Sequence, residues 1–230
     1  ATRKEHDFLG ELEIPNEVYY GVQTFRAIEN FNITGIPISK EPLFIKALGY
    51  VKKAAAMANK DCGVLDAKIA EAICYGSDQL IAGKFDQEFV SDLIQGGAGT
   101  SVNMNAKEVI ANIGLEYIKQ KKGEYQYLHP NNHVNCSQST NDAYPSAFRI
   151  ALYLKMESFL TTLEELEKAF TAKGREFSKV LKMGRTQLQD AVPMTLGQEF
   201  HAYATTIGED IKRLKEAQSL VLEINMGATA

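Results

Sequence analysis

The sequence predicts a mainly α-helical chain, short helices first and two very long ones after, and three observations carry that prediction. Apolar residues recur at helical spacing through most of the chain beyond Pro42. Residues 143–183 hold no proline after Pro145 and a single glycine, Gly174, so one helix can run on without a break. The string Thr195-Leu196-Gly197-Gln198 has the form of a capping box and opens a second long helical stretch.

Composition sets the outer limits. With 230 residues, 45% hydrophobic and 23% charged, the chain can bury a sizeable core. No Pro, Gly or Ser-rich linker separates its parts, so any boundary has to be read from pattern. The net charge of -4, with both signs interspersed, offers no basic patch for a nucleic acid. Cys62, Cys74 and Cys136 lack the spacing of a metal set or disulfide framework, which fits a reducing compartment. No apolar run approaches the roughly 20 residues of a membrane span, and the polar start differs from a secretory signal. A cytoplasmic protein is expected.

Residues 7–37 are turn-rich, with Pro15, Gly21, Gly35 and Pro37 punctuating aromatic segments, and they predict loops with room for a hairpin. After Pro42, Leu43, Ala47, Val51, Ala54 and Ala58 mark one helix, which Gly63 can terminate. Residues 65–81 form a second, stopped at Gly83. A third runs from Gly99 through Val102, Val109, Ile113 and Tyr117 to the charged stop before Gly123. The long helix over 143–183 follows, with Pro145 in its first turn and Gly184 at its end. A loop reaching Pro193 then leads to the last helix, which ends near Asn225. Two long helices joined by so short a loop make an antiparallel pair, half or less of a bundle. The expected domains are therefore 1–138, of short helices, and 139–230, the first part of a central bundle.

Three polar junctions stand at the expected helix ends. Gln95-Gly96-Gly97-Ala98-Gly99-Thr100-Ser101 can bring backbone N–H groups close to an anion, or serve as a plain connector. It lacks the lysine of a phosphate loop. Ser137-Gln138-Ser139-Thr140-Asn141-Asp142 supplies more small polar side chains than one N-cap requires, and the surplus suits a carboxylate held by neutral donors. Gly184-Arg185-Thr186-Gln187-Leu188-Gln189-Asp190 reads as a surface loop between rigid helices, a common place for binding residues. Elsewhere, His129 and His133 flank a proline and lack a third ligand, so no metal is assigned. Cys136 has no histidine base nearby in sequence, and the run Glu164-Glu165-Leu166-Glu167-Lys168 reads as a solvated face.

Taken in order, these blocks resemble the fumarase/aspartase superfamily. The resemblance begins at Tyr19-Tyr20-Gly21-Val22-Gln23-Thr24 with Arg26, and passes through the segment 96–105 and the block 137–142. It ends at Asn225-Met226-Gly227-Ala228-Thr229-Ala230, covering essentially the whole chain. It implies a fumarase/aspartase-like fold, a small helical N-terminal domain followed by long helices of a central bundle. It also implies a cofactor-free, metal-free lyase that takes the Cβ proton from a dicarboxylate and releases fumarate. Fumarases of the superfamily usually carry His where this chain has Gln187, so the resemblance points to the ammonia-releasing branch, with L-aspartate as substrate.

That chemistry places a second negative charge on the carboxylate beside the reacting carbon, which fixed donors must stabilise. By resemblance Thr100, Ser139 and Thr140 do so, while Asn141, Thr186 and Gln187 hold the amino group and the adjacent carboxylate. Gln187 can hydrogen-bond but cannot carry a proton, and Arg26 is a weaker candidate for charge near the site. The superfamily loop Gly-Ser-Ser-x-Met-Pro-x-Lys-x-Asn, source of the serine base, occurs nowhere in these residues. The chain is therefore expected to be truncated, with no catalytic residue of its own, and inactive alone. The resemblance further implies a homotetramer whose subunits share active sites. Two alternatives stay open: a class II fumarase acting on malate, and a non-catalytic structural protein on the same scaffold.

Overall fold

A computed structural model describes residues 1–96, 98–224, 226 and 227. They fall into two compact units, Ala1–Leu152 with Glu223–Ala230, and Tyr153–Leu222.

The first unit opens with an antiparallel hairpin, β1 (Thr2–Asp7) paired to β2 (Gly10–Pro15) in the register Thr2 to Pro15 through Asp7 to Gly10. The hairpin thus forms, but earlier in the chain than the turn-rich segment suggests. Helix α1 (Val22–Asn30) follows, too short for its period to stand out in the sequence. Three longer helices make the body: α2 (Pro42–Asp61), α3 (Ala67–Ile81) and α4 (Thr100–Tyr117). Pro42 occupies the first turn of α2, and Gly63, at φ 72°, closes it in the left-handed conformation expected past a helix end. Asp66 caps α3 by accepting from Lys68 N–H at 2.9 Å and Ile69 N–H at 3.3 Å.

The core lies among these helices, with Leu48, Ile73, Leu80, Phe89, Ile110, Leu115 and Leu128 fully enclosed. Two features depart from the sequence reading. On α2, Ala54 and Ala58 are exposed, and the buried face runs instead through Phe44, Leu48, Val51, Lys52, Ala55 and Asn59. The stripe is rotated because two polar residues, Lys52 and Asn59, belong to it. Helix α4 is not amphipathic: every residue from Val102 to Leu115 is buried. A helix enclosed on all sides must satisfy its polar side chains internally. It does so by anchoring loops. Asn105 accepts from Val90 N–H, and Asn112 accepts from Gly123 N–H. Glu108 accepts from the backbone N–H groups of Gly21, Gln23 and Thr24.

Helix α5 (Thr140–Glu176) is 37 residues long, about 55 Å at 1.5 Å per residue. It begins three residues before the predicted start, so Pro145 falls in the second turn rather than the first. It also ends before the predicted 183. Beyond it the expected loop is a second hairpin, β3 (Leu181–Thr186) paired antiparallel to β4 (Gln189–Thr195), with a register irregularity between Met183 and Arg185. Gly184 therefore lies inside a strand and does not end the helix. Helical spacing failed here because β3 follows a two-residue period instead, with Leu181, Met183 and Arg185 exposed and Lys182 and Gly184 more enclosed, and Gly184 lies at the bulge.

In the second unit α6 (Leu196–Leu220) starts at the predicted capping box: Thr195 Oγ1 accepts from Gln198 N–H at 3.1 Å, and Gln198 Oε1 accepts from Thr195 N–H at 2.9 Å. It runs antiparallel to the end of α5. Lys215 pairs with Glu164 at 2.7 Å, and a side chain at Gly174 would meet His201. Glu164, on the run read as a solvated face, makes this pair while both side chains stay substantially exposed. Leu160, Ala204 and Ile211 are this unit's buried apolar side chains, while Phe159, Leu166, Tyr203 and Leu220 remain exposed. Among the described residues no helix is long and apolar enough to cross a membrane.

Candidate functional site

The first junction ends at the N-terminus of α4. Gly99, the N-cap, has φ 85°, and a Cβ there would run into the ring of Tyr144. Only glycine meets both demands. Gln95 Oε1 accepts from Val102 N–H at 2.9 Å, which satisfies one of the helix's free donors from the side. Thr100 is exposed at this end and Ser101 is half-buried. Gly97, part of the predicted junction, lies outside the described residues.

The second junction opens α5. Ser139 Oγ accepts from Asn141 N–H at 3.2 Å, and Asp142 Oδ2 accepts from Ser139 N–H at 2.9 Å, a reciprocal cap closed by a fully buried carboxylate. Ser139 is therefore the capping residue, and its hydroxyl proton stays available to donate. Thr140 accepts at Oγ1 from Asn103 Nδ2 at 3.0 Å. That bond ties the first turn of α5 to α4, bringing Thr100, Ser139, Thr140 and Asn141 to the ends of two joined helices. Asn103 is completely enclosed, and its Oδ1 has no partner among the described residues.

Sequence reasoning overlooked Asn103 and the lysines beneath this junction. Lys107 is almost wholly buried and donates to Asn131 Oδ1 at 2.9 Å, and burial pushes its pKa down to about 8. The available signal was polar residues on a helix with no solvent face, visible only once α4 is known to be enclosed.

The third junction belongs to the second unit. Thr186 faces Gln189 across the β3–β4 ladder, and Gln187 and Leu188 form the connecting turn with φ 51° and 65°. Positive φ at both central residues is the geometry of a two-residue hairpin turn, normally given to Asn and Gly. Holding Gln and Leu there costs energy, of order 1 kcal/mol or more at each position. Thr186 and Gln187 are both exposed.

Arg26 is not free for a ligand as it stands. Its Nε and Nη2 donate to the two Asp7 carboxylate oxygens at 2.9 and 3.1 Å, and hydrogen bonds with Arg26 hold the Asp7 pKa below the ordinary range against its burial. The pair sits in a groove of about 680 Å³ that also takes in Gln23, Phe31 and Ser101. His129 Nδ1 accepts from Asn131 and Asn132 N–H, and His133 Nδ1 from His129 N–H, while burial lowers both pKa values. Among the described residues no three His, Cys, Asp or Glu side chains gather as a metal set. The predicted end block keeps only Met226 and Gly227 among the described residues; Asn225, Ala228, Thr229 and Ala230 lie outside them.

Comparison with known proteins adds to this geometry. A model of the lyase family matches residues 10–230. The aspartate ammonia-lyase of Pseudomonas fluorescens is 59% identical over 231 residues, covering 100% of this chain and 48% of that protein. That of Helicobacter pylori is 56% identical over 228 residues, 99% of this chain and 49% of the relative. The Escherichia coli counterpart is 53% identical over 229 residues, 99% and 48%. The chain thus spans about half the length of the curated relatives it matches. Among solved structures, fumarate lyase:delta crystallin from Brucella melitensis superposes with TM-score 0.96 at 52% identity, covering 99% of this chain and 53% of that one. A class II fumarase from Schistosoma mansoni gives 0.90 at 34% identity, covering 100% and 48%. The mainly helical architecture is that of the fumarase and delta-crystallin lyases.

Proposed function

The chain belongs to the lyase family, and from that premise we propose that the full-length protein eliminates ammonia from L-aspartate to give fumarate. The observation that carries the reading is the Asn103 to Thr140 bond, which joins two helix starts that carry the neutral polar side chains of Thr100, Ser139, Thr140 and Asn141. Relatives named aspartate ammonia-lyase at 53% to 59% identity support the choice of substrate.

Elimination begins with loss of the Cβ proton, which turns the neighbouring carboxylate toward a dianion. Fixed donors stabilise that charge without reorganising when it forms. Thr100, Ser139 and Thr140 take this part. Asn141 with Thr186 and Gln187 hold the amino group and the α-carboxylate, aligning the departing nitrogen with the departing proton. The group that removes the proton is not assigned to these 230 residues; their part is to bind and to stabilise. No cofactor enters the scheme.

The second unit leaves Phe159, Leu166 and Tyr203 exposed on a helix pair with a thin core, and such faces suit burial against copies of the same chain. A homotetramer with shared active sites fits that need. A reducing cytoplasm fits the three free cysteines. A fumarase acting on malate is the second reading, favoured by the Schistosoma mansoni likeness; its lower identity and Gln187 in place of a titrating His weigh against it. Fumarate release from aspartate and from malate by the full-length protein, followed by ultraviolet absorbance, tests both. Turnover of malate alone would overturn the ammonia-lyase reading, and silence on both would favour a structural role.

A further inference from the structure

Lys52 lies on the inner face of α2 with no solvent exposure. Placing an amine there carries a desolvation cost that an apolar side chain of the same length would not. Burial, with Lys107 nearby, holds its pKa well below the ordinary lysine range. The groups that receive it are two amide oxygens: Nζ donates to Asn135 Oδ1 at 2.8 Å and to Gln138 Oε1 at 3.0 Å.

Those two residues bracket the turn that delivers the chain into α5. Asn135 Nδ2 donates to the Gln138 carbonyl at 2.7 Å, and Gln138 Nε2 donates to the carbonyls of Val134 and Cys136. Between them Ser137 has φ 55°. A left-handed serine persists only where its surroundings determine it, and here they do so through side-chain amides gripped by one lysine. The same Asn135 oxygen accepts from Asn103 Nδ2 at 3.2 Å, and Asn103 also donates to Thr140. A continuous set of bonds therefore runs from Lys52 to the first residue of α5.

We propose that Lys52 is a positioning residue, which from the interior fixes the turn presenting Ser139, Thr140 and Asn141 to the substrate carboxylate. This rests on the reading of those three as carboxylate-binding groups. A lysine needed only for packing would be replaced by Met with little loss of function, since Met fills a similar volume without the desolvation cost.

The test uses the full-length protein with Lys52→Met, Thr140→Val and the double variant, measuring aspartate deamination and amide hydrogen exchange over residues 135–141. Lys52→Met is expected to lower kcat/KM about ten- to a hundred-fold, the scale of a misplaced contact. Exchange in the turn should quicken while the rest of the chain keeps its protection. The double variant should lose little more than the worse single variant, because both break one bonded set. Unchanged exchange, unchanged kcat/KM, or losses that multiply in full would overturn the proposal. If Thr140→Val leaves kcat/KM intact, the carboxylate reading fails and the proposal with it. If Thr140→Val is impaired and Lys52→Met is not, the proposal alone fails. Should Lys52→Met not assemble, Asn135→Ala removes the shared acceptor and carries the same measurements.

Discussion

Glu108 makes stability depend on pH in a direction opposite to that of most carboxylates. Its side chain is enclosed in α4 and accepts from Gly21, Gln23 and Thr24 N–H at 2.9 to 3.0 Å, and from Thr24 Oγ1 at 2.6 Å. Burial pushes its pKa up to about 7, and the neighbouring Glu5 carboxylate adds to the rise, against the lowering by these donors. The native state therefore holds a proton on Glu108 between the usual 4.5 and about 7, where the unfolded chain has released it. Stability contributed by this group is present below 4.5 and declines as pH rises to about 7. At about 1.4 kcal/mol for each tenfold change, the whole decline is roughly 3 kcal/mol. His129 and His133 act the other way, because their lowered pKa values let stability rise with pH through the ordinary histidine range. The assay is accordingly a difference: thermal midpoints of the full-length protein and Glu108→Gln across pH 5 to 8. Glutamine cannot titrate, so its offset is constant, and the parent should lose ground relative to the variant as pH climbs toward about 7. A flat difference, or a parent that gains ground, would refute the buried-carboxylate argument.

Three other substitutions follow from the same geometry. Ser139→Ala should cost about 1 kcal/mol of stability through its single cap bond while lowering turnover of aspartate much more; a large stability loss with activity intact would leave Ser139 a cap only. Gln187→His puts a titrating ring on the hairpin turn and should weaken aspartate use, and unchanged kinetics would remove Gln187 from the site. Gly99→Ala combines a strained φ with collision against Tyr144, so a loss of several kcal/mol is expected in denaturant unfolding; a shift under about 1 kcal/mol would mean that the two helix starts are less closely packed.

What the sequence made legible was what local rules control. The end of α2 at Gly63, the span of α3 and the Thr195 to Gln198 box each rest on a few neighbouring residues, and each forms near its predicted place. The β3–β4 hairpin did not announce itself, because its turn carries Gln187-Leu188 where Asn-Gly would have marked it. The start of α5 moved for a related reason: Asp142, read as one of several polar residues at the helix-start junction, is a buried cap partner. For the site, sequence supplied Thr100, Ser139, Thr140 and Asn141 as residue types at helix starts. It could not supply Asn103, whose amide looks like any polar position until its helix is seen to be enclosed.

That enclosure changes how the site is built. A helix with one wet face would spend Asn103, Lys107 and Glu108 on solvent, and its start would be steered by packing alone. Helix α4 spends them on neighbouring segments: Glu108 on the turn into α1, Lys107 on residue Asn131, and Asn103 on Asn135 and Thr140. Each bond is to a segment without regular structure of its own or to a helix end, the places where position is otherwise least determined. Hydrogen bonds made in a buried setting are costly to break and directional, so they hold an end more precisely than apolar contact, which would let it slide. The elimination proposed above, in which neutral donors meet a developing dianion, needs that precision more than it needs charge. In the proposed function the polar interior of α4 thus supports the candidate binding residues at the start of α5, through the bonds from Asn103 to Asn135 and Thr140.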